Sequence, residues 1–299
     1  MAGDNHKGRY GAIRAELLLE HAERAIADWI TLAVAASIAL TVTGSALAAL
    51  NGAIPLWLAA IINFPAIYCC QIIAHEAVHA TIVRRDHKLA WLNLLLGHAY
   101  AALLFWDFQT MRYLHLRHHR HTNDPRHDTD YLPPGISGAG RLLRSLVFLI
   151  HALTGAARHI FDTDQRPPNW RTIAISWTLT YALTVALIIA APLKTLTLWV
   201  VPAIFATALI VLLHWSMHSR EKNASVLRTT RIISTHGWVE TLLRCLYLFQ
   251  NHHLVHHLFP YVPFHRMPAV SRRLTPSNKR AGSRTRSATR ATISVTTQV

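Results

Sequence analysis

The chain has 299 residues, 52% of them hydrophobic and only 15% charged, which excludes an intrinsically disordered protein and leaves too much apolar material for an ordinary soluble domain. A formal charge of +15 needs an anionic partner, a membrane surface or a topological cause. Three cysteines with no CxxC pair exclude a disulfide scaffold, whereas 21 histidines gather in a few short segments.

Residues 1–28 mix Lys and Arg with Asp and Glu at helix-like apolar spacing and read as an amphipathic surface segment. Trp29 to Leu50 is 22 residues without a charge. At 1.5 Å per residue that is enough to cross a hydrocarbon core of about 30 Å, and too long for a cleaved secretory signal. Asn51-Gly52-Ala53-Ile54-Pro55 is a turn, and Leu56 to Ile73 forms a second span that runs into His75. Thr172 to Ala191 and Thr195 to Leu213 repeat the arrangement around Pro192 and Lys194. Leu89 to Trp106 is also uncharged but holds Asn93, Gly97 and His98 between basic flanks, and reads as interfacial or re-entrant. The expected architecture is an all-α membrane protein of about four transmembrane helices in two hairpins, with a cytoplasmic helical cap. Residues 29–268 form the domain, and 269–299 are a basic tail expected to be disordered.

Charge placement supports that topology. With both termini cytoplasmic, Lys194 is the one basic residue of 30 left outside, as the positive-inside rule requires. The basic excess is therefore topological, and with no recognition motif present a nucleic-acid partner is not expected.

Three histidine clusters carry the chemistry. His75 and His79 stand at i and i+4 where the second span ends. His115, His118 and His119 form an HxxHH set, and His253, His256 and His257 repeat it. On a helix these spacings converge on one face, and neutral imidazole is a strong ligand for first-row transition metals. Eight such nitrogens exceed what one zinc needs and point to a dinuclear site. In the four-span topology all three clusters emerge on one side. A further pair, His214 and His218, ends the fourth span on that side, where ionisable groups usually face a cavity or a partner. After the second cluster, Asn123-Asp124-Pro125-Arg126-His127-Asp128-Thr129-Asp130 either orients ligating histidines or caps the next segment as a turn.

HEAVH, HLRHHRHTNDP and NHHLVHHLFP, in that order beside paired spans, resemble the membrane fatty acid desaturase and hydroxylase superfamily, with the likeness running from about Trp29 to Pro268. The resemblance implies two irons held by His75, His79, His115, His118, His119, His253, His256 and His257, joined by His218. His214, His121, Asn251, Asp124 and Asp128 are the candidates for further ligands or for groups that orient them, Asn251 by holding a water. It also implies O2 as co-substrate and attack on an unactivated C–H bond of a lipid in the membrane. Acid, base or nucleophilic catalysis does not break such a bond. Because no GxGxxG, CxxC or haem motif is present, electrons come from a separate ferredoxin, rubredoxin or cytochrome b5-type donor. A fatty acyl desaturase is the first expectation, and a lipid or carotenoid hydroxylase or ketolase of the same superfamily the second.

Two rivals compete. His75-Glu76-Ala77-Val78-His79 satisfies HExxH, so an intramembrane zinc protease with Glu76 as general base is a candidate, but it leaves at least six histidines unused. A metal transporter or sensor would want polar residues along its spans, and these spans are nearly all apolar.

Overall fold

The computed structural model describes residues 11–20, 25–128, 130–131, 138–140, 143, 167, 169–218, 225–274 and 294–296. It divides into two compact units, one formed by Ala27–Ser216 and the other by Met1–Ile26 with Met217–Val299.

The first unit is built on four apolar helices, each long enough to cross a membrane. These are α2 (Trp29–Leu50), α3 (Leu56–His79), α6 (Trp170–Ala190) and α7 (Pro192–Met217). Two of them outrun the apolar stretches that announce them. α3 continues past Ile73 to His79, and α7 runs from Pro192 to Met217. The polar residues of HEAVH do not stop α3 because they are buried on it. The helix ends only where Ala80 takes a left-handed φ of 54° and Thr81 donates its hydroxyl to the Glu76 carbonyl at 3.0 Å.

Polar side chains set the helices in register. Ser45 of α2 donates to Asn63 of α3, and Asn63 Nδ2 donates to the Leu198 carbonyl of α7 at 2.8 Å. The Asn51 and Lys194 turns therefore share one end of this unit. His79 and His214 each lie sixteen residues beyond the tied positions (63 to 79, 198 to 214), or about 24 Å along the helix, at the opposite end.

Between α3 and α6 the chain forms α4 (Trp91–Leu103) and α5 (Phe108–His121). Thirteen residues of α4 reach only about 20 Å, too short to span. The α4–α5 turn accepts three side-chain donors from the long helices. Trp199 Nε1 bonds the Leu103 carbonyl (2.9 Å), Thr207 Oγ1 that of Leu104 (3.3 Å) and Tyr181 Oη that of Phe105 (2.8 Å). Tyr181 and Thr207 lie near the middles of α6 and α7, so the turn meets these two helices about halfway along their length. Its freed backbone is satisfied from within the protein, as hydrocarbon demands. Gly97 of α4 faces the buried Phe108 ring, and a Cβ there would meet ring carbons at 2.3–2.7 Å. Asp107 caps α5, accepting from the Thr110 N–H and hydroxyl (2.7 Å each) and from Ser176 of α6.

In the second unit, α1 (residues 11–20) buries Ile13 and Leu17. Helix α8 (Gly237–Leu246) is followed by α9 (His253–Leu258) and α10 (Met267–Leu274). Strand β1 (Ile232–Ser234) pairs antiparallel with β2 (Ser294–Thr296), a minor feature of an otherwise helical chain. The tail expected from 269 is helical through Leu274, because Met267, Val270 and Leu274 bury one face. Beyond it only β2 lies among the described residues. Glu20 at the end of α1 accepts from Arg266 (2.6 Å) and Arg273 (2.9 Å), tying that helix to the chain around α10.

Candidate metal centre

Each unit brings three or more of the expected ligands together. In the first, His75 and His79 at the end of α3 meet His115 and His119 on α5. Ligand atoms of His75, His79 and His115 lie within 4.8 Å of one another. His115 Nε2 is 2.9 Å from His79 Nε2 and 3.1 Å from His119 Nε2. In the second unit, the backbone of His218 bridges Thr230, and Arg231 N–H donates to the Met217 carbonyl at 2.9 Å, setting His218 beside α9. His253 Nε2 is then 3.2 Å from His218 Nε2 and 3.1 Å from His257 Nε2.

These distances test whether the residues fit a metal. An Nε2 carries one hydrogen or one lone pair, so the central nitrogen of each trio, in His115 and in His253, cannot satisfy two facing imidazoles with hydrogen bonds. A cation shared by all three removes the conflict. Cis ligands on bonds of 2.0–2.1 Å are about 2.9 Å apart, and tetrahedral ones about 3.4 Å, the range into which the trios fall. Burial, then the charges of neighbouring histidines, pushes His115 and His119 well below the usual imidazole range, keeping them neutral and ready to ligate.

His118 faces a different set of partners in the first unit. Its Nδ1 is 2.9 Å from Asp128 Oδ1 and 3.9 Å from Asp130 Oδ2, and its ring centroid is 5.4 Å from that of His214. Burial alone would lower its pKa, but the two carboxylates hold it above the ordinary value. Asp128 Oδ2 takes the Asn123 N–H (2.7 Å) and Oδ1 the Asp130 N–H (2.9 Å), so its orientation is fixed by backbone. The 123–128 segment is thus both a turn and an orienting group. His214 Nε2 lies 3.6 Å from Asp130 Oδ2, so His214 belongs to this cluster. His256 is buried beside its own box, 5.4 Å from His253 ring to ring.

Three expected residues sit elsewhere. His121 and Asp124 group with His127 at the surface, where His127 Nδ1 is 2.8 Å from Asp124 Oδ2. Asn251 spends its amide on the Ile233 carbonyl at 2.9 Å, within the fold of the second unit. Asp130 belongs to the acidic segment that the sequence singles out after the second box, whereas sequence reading missed Glu240. The signal for Glu240 is that it is the only acidic residue after Glu221.

The fatty acid desaturase family model matches residues 50–289, well over half of the chain and all three histidine clusters. The chain belongs to the fatty acid desaturase family. No curated protein matches it. Membership makes it a membrane oxidoreductase of the desaturase and hydroxylase type, and the two histidine trios are its candidate metal ligands. The protease reading falls with this assignment. Glu76 is buried on α3 and accepts the Thr81 hydroxyl at 2.5 Å.

Proposed function

We propose that the protein is a fatty acyl desaturase that binds two iron ions, one on the His75, His79, His115 and His119 set and one on the His218, His253 and His257 set, with His118 and His256 completing the ligands. The observation that carries this reading is the central Nε2 of each trio facing two others, a conflict that a shared cation resolves. Bound iron supplies O2-dependent oxidation of a C–H bond, chemistry that no side chain provides.

The residues of the chain do the rest. Asp128 holds the His118 ring by its Nδ1 and leaves Nε2 to ligate. The apolar helices offer an acyl chain a dry route, and the cluster end of α3 and α7 lies at the level where a lipid head group meets water. Arg85, Lys88, Arg120 and Arg126 are exposed on the first unit near that end, and their charge suits an acidic ferredoxin, rubredoxin or cytochrome b5-type electron donor. That face is the cytoplasmic one, by the distribution of basic residues.

Mass spectrometry of lipids from a host expressing the chain with a compatible donor tests the reaction type. Loss of two hydrogens from an acyl chain supports desaturation. Gain of an oxygen atom, or an oxygenated carotenoid formed only in a carotenoid-producing host, replaces the acyl desaturase with the hydroxylase or ketolase reading.

A further inference from the structure

Glu240 lies outside every motif, yet its side chain on α8 is only 8% exposed. Oε2 accepts the Thr235 N–H at 2.8 Å. Oε1 accepts from Arg244 Nε at 2.9 Å, and Asn251 Nδ2 and His252 Nε2 each stand 3.4 Å from the same oxygen. Asn251 and His252 are the two residues that lead into His253. One buried carboxylate thus joins the strand side, through Thr235, to the entry of the third histidine box.

That entry needs holding. Leu248 and Phe249 adopt left-handed φ values of 52° and 65°, a conformation disfavoured for a residue with a Cβ. The chain then makes a single 3-10 turn, Gln250–His252, before α9 begins at His253. Strained backbone of this kind persists only where surrounding contacts over-determine it. Burial would raise Glu240, but the Thr235 N–H and the Arg244 guanidinium hold it ionised.

We infer that Glu240 is a positioning residue for the third histidine box: by gripping Asn251 and His252 it sets the angle at which His253 and His257 meet His218. A role limited to neutralising Arg244 would leave the metal environment unchanged when Glu240 is replaced by a neutral residue of the same shape. The inference rests on the metal-binding reading above and sharpens it for one of the two sets.

The test uses the full-length protein in detergent loaded with Co2+, whose visible ligand-field bands report coordination geometry without turnover. Glu240→Gln and Glu240→Ala are compared with wild type for that spectrum, for the rate of metal loss to a chelator, and for helicity and thermal midpoint. Wild type shows Co2+ bands and two phases of metal loss. Glu240→Gln, folded like wild type, shows shifted bands and roughly ten-fold or greater acceleration of one phase, with the other unchanged. Where Glu240→Ala unfolds, Glu240→Gln decides alone. Wild-type bands and both wild-type rates in Glu240→Gln overturn the inference while leaving the metal reading intact. Absence of any Co2+ bands in wild type overturns the metal reading and the inference with it.

Discussion

Nδ1 of His118 lies 2.9 Å from Oδ1 of Asp128, and both side chains are about 1% exposed. A buried carboxylate behind a histidine fixes the tautomer and aims the far nitrogen, and groups in that position commonly govern metal affinity by 10–100-fold. Asp128→Asn keeps the volume and loses the charge. Metal retention against a chelator is expected to weaken by about that factor, with helicity unchanged. Wild-type retention would remove Asp128 from the site.

Alanine replacement separates ligands from bystanders. His75→Ala, His79→Ala, His115→Ala, His253→Ala and His257→Ala are each expected to abolish turnover and to lower bound iron. His218→Ala is the informative member, because its assignment rests on a backbone bridge and one 3.2 Å approach. His121→Ala, like His87→Ala and His265→Ala, is expected to leave iron content at the wild-type level, since His121 sits with Asp124 and His127 at the surface. Iron analysis of each purified variant checks the division.

Much of this was legible beforehand. A run of 22 uncharged residues has one stable solution in a membrane, and i, i+4 spacing on a helix puts His115 beside His119 and His253 beside His257, so Trp29–Leu50 and these pairs follow from the sequence. Other features depend on tertiary contacts that spacing does not encode. Nothing local shows that Trp199, Thr207 and Tyr181 cap the Leu103–Phe105 turn. Glu240 looks like an ordinary helix-surface acid until Asn251 and His252 are seen against it. Helix α10 was hidden by the basic residues around Met267, Val270 and Leu274, although their i, i+3, i+7 spacing was present.

The α4–α5 pair makes a stability prediction. Gly97→Ala drives a methyl group into the Phe108 ring and is expected to destabilise the protein by about 1–3 kcal/mol. Combining it with Phe108→Leu should recover part of that loss. Thermal midpoints in detergent measure both, and additive losses would place the strain elsewhere.

Topology is checked by cysteine labelling in sealed vesicles. Labels at Asn51 and Lys194 are expected to react from outside, and labels at Asp86 and Arg126 only from the cytoplasm. The register between Asn63 and Leu198 puts the first two positions at one end of their unit. External labelling at Arg126 would contradict both the charge rule and the placement of the second box.

Metal analysis of wild-type protein purified anaerobically after iron-replete expression bears most directly on the two-iron reading. Zinc competes for such ligands by the general affinity order, so the sample is also reconstituted with iron alone. The account predicts close to two irons per chain, lost in parallel with lipid-oxidising activity when a chelator is added. A single tightly held zinc with peptidase activity, or lipid oxidation that survives complete removal of iron, would contradict it.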